Sequence, residues 1–560
     1  MRPASGTGRA GLAATGVSIG CTIAVAAAGP SLMEPPLPGA AAQPPWTLDL
    51  HPGPYLAVGL AAAGLAAGTL GLALTLRAIR LGWTVRPRYV LLAGVIAAVV
   101  AGTTAPFGTS DFLSYAAYGR ELVTGHNPYL VAPQALARLG DPVARAVQDW
   151  AGTPSVYGAL ATGVFGLASL IGGASARLTV FVLDMVNVLA FAGTGVLLDR
   201  LARGRGTAGR LRAAVLWTCN PLLLQILVAG GHVDGLAAAF SIAGIAVLAP
   251  LIPNDAACSR RLPRALAAGV ILGLGFAVKP TVLLVFLGLV IVLAVQWLAL
   301  RAPRAPLPPP APLAPSALDL FAVSGAIAPQ FANKSPAPAA RPARVTFCGL
   351  VAGFSAAAAA DLALMGRAGI AQSFRASGMV SVGSPWRAVR TLLRVTVLSE
   401  SSADDVVRVL AVLLMMCLAV GLLWRLSRAG GDLAGLAPAD GVLLAGVVPF
   451  ALVLAWLAAW PYVLPWYDAL GWALLPLLPA SGIDWLLLAR TAALGFGYLP
   501  ARAVGITIPA GLRWMEPVIR SALTPAVLAG VVVVLAIAPR SAARHARPPS
   551  LAEADNTSPV

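Results

Sequence analysis

Long windows of about 20 residues that carry almost no charge recur along this chain, and they decide what it can fold into. Tyr89 to Pro106 and Thr281 to Ala299 hold no Asp, Glu, Lys or Arg at all. Hydrocarbon offers no partner to an unpaired backbone N–H or C=O, so windows of this kind cross it as helices. Composition agrees. Of 560 residues, 58% are hydrophobic and 11% charged, against about 25% charged in soluble domains. The expected fold is an all-α polytopic membrane protein.

The pattern gives about 14 spans, near 10–28, 54–76, 89–106, 175–198, 211–229, 234–250, 264–279, 281–299, 345–365, 405–423, 438–459, 467–480, 484–499 and 519–538. The net charge of +17 resides in arginines clustered between the runs. That is topology information rather than a nucleic-acid surface. Arg77, Arg80, Arg86 and Arg88 form one cluster, Arg200, Arg203, Arg205, Arg210 and Arg212 a second, and Arg260, Arg261 and Arg264 a third. Placing these in the cytoplasm puts both termini there in a plasma-membrane protein. The first run, Gly11 to Gly29, follows Arg2 and Arg9 and reads as a retained signal anchor. Tyr157 to Gly173 is apolar, but counting it as a span would invert the second cluster; it reads as a helix on the outer interface.

The Pro/Ala-rich stretch 301–344 reads as a disordered cytoplasmic linker. It separates an N-terminal transmembrane module, 1–300, from a C-terminal one, 345–540, and a disordered tail follows over 541–560. Cys21, Cys219, Cys258, Cys348 and Cys417 form no CxxC pair, which gives no metal or redox signature.

Three long segments then face outward. The first, 107–175, begins with Asp111, the first acidic residue after the 89–106 run. It also holds Tyr115, Arg120, Asn127, Tyr129 and Tyr157. The second, 366–404, carries Arg367, Arg375, Arg387, Arg390 and Arg394. These read either as a solvated loop or as an anion site, because the arginine fork matches phosphate. The third is the aromatic stretch Trp460 to Asp468, with Trp466 and Tyr467. Two short turns share this side: Gly230 to Gly235, with His232 and Asp234, and Val278-Lys279-Pro280. Ionisable groups at span ends are costly and point to function. The structural alternatives are a polar cap for His232 and Asp234 and a snorkelling Lys279.

In order, the motifs are Asp111, Tyr115-Ala116-Ala117-Tyr118-Gly119-Arg120, Asn127-Pro128-Tyr129, Thr153-Pro154-Ser155-Val156-Tyr157-Gly158, Asn220-Pro221-Leu222, Gly231-His232-Val233-Asp234, Val278-Lys279-Pro280 and Pro465-Trp466-Tyr467. This series resembles the actinobacterial polyprenol-phosphate-mannose-dependent α-1,6-mannosyltransferases, members of the GT-C class of membrane glycosyltransferases. Ala159 and Val233 stand where that pattern has Pro and Asn. The resemblance implies a large first outer loop with helices along the membrane. It also implies a polyprenyl-phosphate sugar donor, a mannan or lipoglycan acceptor, and Asp111 as catalytic acid–base residue.

On this reading Asp111 is the general base of an inverting transfer. Lys279, Arg375, Arg387 and Arg390 are candidates for the donor phosphate. Tyr115, Arg120, Asn127, Tyr129, Tyr157, His232, Asp234, Trp466 and Tyr467 are candidates for substrate binding. No cofactor is called for; the outer loops hold no Asp-x-Asp pair, and a divalent ion is left open. The competing class is a transporter or flippase of lipid-linked sugars. Against it stand the absence of an internal repeat and the gathering of ionisable groups at one face rather than the midplane.

Overall fold

The computed structural model describes residues 2–252, 260–301, 337–396, 399–429, 441–501 and 507–537. Most of the 301–344 linker and all of the 541–560 tail lie outside these residues. The regular structure of the described residues is all helical; they contain no β-strand, and a single isolated bridge joins Trp46 to Thr104.

Among the described residues, ten helices are long and apolar enough to cross a membrane. Each overlaps one of the spans expected from sequence. The other four expected spans are shorter or broken, for local reasons. The Pro87–Thr103 helix has 17 residues, Arg261–Phe276 has 16 and Ile483–Gly497 has 15. The stretch expected at 467–480 is a seven-residue helix, Asp468–Leu474, between two 3-10 turns. Pro465 opens the first turn and Pro476 is the second residue of the other, and neither can donate the backbone bond that would prolong a helix through it. Proline at the first turn likewise starts the Pro54–Arg80 and Pro87–Thr103 helices. The apolar 157–173 stretch forms the Ala159–Gly172 helix, 14 residues long.

Close helix contacts set the positions of the site elements. Gly119 of the Asp111–Val123 helix lies against Phe165 of the Ala159–Gly172 helix, where a Cβ would come within 2.1 Å of the Phe165 carbonyl oxygen. The latter helix docks on the turn preceding Lys279: Leu160 N and Ala161 N donate to Ala277 O at 3.1 and 3.3 Å. Arginine-bearing helix ends converge on Leu475 to Asp484. There the buried Asp484 takes Arg212 at 2.7 Å and Arg80 at 3.0 Å, and Arg212 also donates to the carbonyls of Leu475 and Leu478. A second buried pair, Arg490–Asp468 at 2.8 Å, ties the broken helix to Ile483–Gly497, and Thr491 donates to the same carboxylate. Charges this deeply buried persist only with partners.

Candidate active site

Asp111 is the first residue of its helix, where the N-terminal dipole favours an anion. Its backbone N–H donates to Thr109 Oγ1 at 3.0 Å. The preceding loop is pinned on both sides: Phe107 N donates to Ala229 O at 2.8 Å and Gly108 N to Met33 O at 2.7 Å. Phe107 is thereby anchored beside the turn that presents His232. That turn follows a π-helical stretch, Leu224–Val228, and passes through Gly231 at φ +66°. A side chain there would be strained by the backbone angle and would press on Asp184 Oδ1 at 3.1 Å.

The turn brings His232 Nδ1 to 3.9 Å from Asp111 Oδ2. The imidazole is fully buried, and neither ring nitrogen has a hydrogen-bond partner among the described residues. Burial, with Lys279 nearby, holds it well below the usual histidine range, so it is neutral at pH 7. Its ring stacks on Trp466 with centroids 3.7 Å apart. Two residues on, Asp234 opens the Asp234–Leu248 helix and meets Lys279 Nζ at 2.6 Å. The same ammonium lies 4.1 Å from the centroid of the Tyr467 ring.

This environment pushes the Asp111 carboxyl up to about 6. Burial is the main cause. Lys279 opposes it, Asp149 and Asp234 add to it, and a hydrogen bond from the Trp150 side chain lowers it again. A carboxylate tuned close to neutrality is suited to accept a proton from a hydroxyl and release it again. Among the described residues no group of three or more His, Cys, Asp or Glu could hold a metal ion.

The structure therefore brings together Asp111, His232, Asp234, Lys279, Trp466 and Tyr467, contributed by four stretches far apart in sequence. Tyr115 and Tyr157 lie close by, joined through their hydroxyls at 3.2 Å. The Tyr115 ring is stacked on Phe165 and meets Tyr157 edge-on, which commits it to packing. The remaining candidates serve the loop itself. Arg120 pairs with Asp141 at 2.7 Å, and Asp141 caps the next short helix. Asn127 Oδ1 accepts from Tyr129 N, while the Tyr129 hydroxyl donates to Thr162. In the second arginine segment, Arg390 is bound to Asp404 and Glu400, and Arg375 and Arg387 are exposed.

Sequence reasoning assigned no site role to Asp149, Trp150, Tyr462 or Tyr498. Trp150 adopts φ +64°, a conformation rare outside glycine, and nothing in the sequence signals it. Ser110 Oγ donates to the Asp149 carboxylate at 2.8 Å, which fastens this loop to the start of the Asp111 helix.

In this multi-span helical membrane protein a carboxylate raised towards neutrality, a buried neutral imidazole and a lysine thus meet at helix ends. The chain belongs to the alpha-(1->6)-mannopyranosyltransferase family: the model of that family's N-terminal domain matches residues 13–296, just over half of the chain. It is also similar to a probable alpha-(1->6)-mannopyranosyltransferase of Mycolicibacterium smegmatis, with 31% identity over 164 residues. That match spans 27% of this chain and 28% of the relative's length. No solved structure matches the chain. All the clustered residues except Trp466 and Tyr467 fall inside the family match.

Proposed function

We propose that the protein is an inverting α-1,6-mannosyltransferase of GT-C type, which moves mannose from polyprenyl-phosphate mannose to a mannan or lipoglycan acceptor at the outer face of the plasma membrane. The observation that carries this reading is the Asp111 carboxyl, raised to about 6 at a helix N-terminus and set beside His232 and the Lys279–Asp234 pair. Ionised at pH 7, Asp111 accepts the proton of the acceptor hydroxyl. The hydroxyl oxygen bonds to the anomeric carbon from the face opposite the phosphate. The bond from that carbon to the phosphate oxygen breaks, and its electron pair leaves with the polyprenyl phosphate. Attack opposite the leaving group converts a β-linked donor into an α-linked product; here the two-sided logic of inverting glycosidases applies by analogy. Lys279 supplies positive charge near the reacting atoms.

In this arrangement 107–175 is the catalytic outer loop, 301–344 a cytoplasmic linker between two transmembrane modules, and both termini are cytoplasmic. Membranes containing the full chain, given labelled polyprenyl-phosphate mannose and an α-mannoside acceptor, are expected to yield an α-1,6-extended product. The same membranes should give none from a nucleotide-linked mannose alone. Failure with every lipid-linked sugar would favour the transporter.

A further inference from the structure

In the 366–404 loop Arg390 and Arg394 are ion-paired and Arg367, Arg375 and Arg387 are exposed, and Lys279 is matched by Asp234 at 2.6 Å. Another arginine reaches the site from the far end of the sequence. Arg520 sits in a π-helical stretch, Glu516–Leu523, that runs directly into the Thr524–Ile537 helix. π-helical stretches are rare and are frequently found at functional sites. Its guanidinium lies 5.1 Å over the Tyr498 ring, and it has no carboxylate within ion-pair distance among the described residues. A partly buried guanidinium without an anion is an unfinished interaction.

Arg520 lines a cavity with Arg513, Glu516, Leu499, Ile508 and Leu512. Two arginines against one glutamate leave its described lining net positive. A second cavity, bordered by Thr109, His232, Trp466 and Tyr498, shares Leu499 with the first. The two are linked by a row of rings: His232 on Trp466 at 3.7 Å, Trp466 edge-on to Tyr498 at 5.2 Å, and Tyr498 under Arg520. Asp111 stands at one end of this row and Arg520 at the other. Tyr462 and Tyr498 are within electrostatic reach of both. An in-line displacement needs this polarity, with the base on one side of the sugar and the charge that receives the leaving phosphate on the other. The surface beside the cavity is apolar, with Trp514, Val518 and Leu523 each more than half exposed. That is the setting of an anion carried on a lipid chain.

We infer that Arg520, assisted by Arg513, binds the phosphate of a prenyl-linked substrate, with the prenyl chain lying along the Trp514–Val518–Leu523 surface. The assignment rests on the transferase reading and names which cation completes it. Arg520 donates from its planar fork to two phosphate oxygens, a geometry that lysine cannot reproduce.

The test uses the full chain in nanodiscs of zwitterionic lipid. Tryptophan fluorescence reads the binding of polyprenyl monophosphate, neutral polyprenol, inorganic phosphate and phosphatidylglycerol. Wild type is expected to bind the polyprenyl monophosphate and to discriminate against the other three. Arg520→Gln weakens that binding by on the order of tenfold, as loss of a charged hydrogen bond does. Arg520→Lys weakens it less, and Arg203→Gln, a charge-matched control away from the cavity, leaves it unchanged. Thermal unfolding confirms that each variant is folded. Equal affinity of folded Arg520→Gln and wild type overturns the assignment. So does equal wild-type affinity for inorganic phosphate or phosphatidylglycerol. Asp111→Asn separates the two claims: it is expected to bind the lipid phosphate normally while transfer is lost. Normal transfer with an unchanged donor KM in Arg520→Gln would leave the transferase reading standing and remove only Arg520. Arg520-dependent binding without any transfer by wild type would do the reverse.

Discussion

Replacing Asp234 by Asn should move the acid limb of the pH–rate profile to lower pH. In the wild-type protein the Asp111 carboxyl is raised from 3.8 to about 6. At about 1.4 kcal/mol per unit, the surroundings oppose its ionisation by about 3 kcal/mol. A base with this value is about one-tenth ionised at pH 5, half at pH 6 and nine-tenths at pH 7, and kcat/KM should follow that curve. Asp234 is one of the charges that hold Asp111 up, while Lys279 pulls it down. Asp234→Asn removes the first and releases the second from its ion pair, so both changes favour ionised Asp111. At an effective dielectric of about 20 a unit charge several ångströms away is worth on the order of one pH unit. Activity at pH 5, relative to its own plateau, should rise from about one-tenth to about half. The plateau itself can fall through lost substrate contacts, so the position of the limb is the quantity to fit, from initial rates of mannosyl transfer between pH 4.5 and 8. An unmoved limb, or one displaced upward, would refute this electrostatic account of Asp111.

Two further pairs of variants test how the site is held. Gly158→Val places a side chain where even a Cβ would lie 2.2 Å from the Ala277 carbonyl oxygen. Overpacking of about 1–3 kcal/mol should push the first loop off the Lys279 turn and reduce transfer at least tenfold, whereas Gly163→Ala, which faces open space, should be silent in the same assay. Arg212→Met leaves the buried Asp484 with Arg80 alone and should cost about 3–5 kcal/mol, read as a lowered Tm in detergent; Arg212→Met/Asp484→Leu should recover much of it.

Much of this arrangement could be read from the sequence, because it depends on local chemistry. Charge-free windows located the long helices. Asp111, His232, Asp234 and Lys279 each stood out as an ionisable group at the end of an apolar run, and all four meet. The rest depends on contacts that no local pattern encodes. Arg390 reads as a free cation until Glu400 and Asp404 are seen beside it. Tyr115 reads as a sugar-stacking ring until Phe165 is found on its face. Trp150 reaches Asp111 through a backbone angle that its sequence does not announce. Tyr498 meets Trp466 where the broken 465–477 stretch packs beside Ile483–Gly497, and Arg520 in turn lies over Tyr498. The prolines that break it were visible, but their consequence for packing was not.

The central claim is that Asp111 removes the proton from the acceptor hydroxyl, and Asp111→Asn tests it most directly because Asn preserves the shape and removes the base. Transfer of labelled mannose to an α-mannoside should be measured for wild type and Asp111→Asn at pH 7.5, alongside polyprenyl-phosphate binding to both. The account predicts unchanged binding and a loss of transfer of about a hundredfold or more. Transfer by Asp111→Asn at the wild-type rate would contradict it.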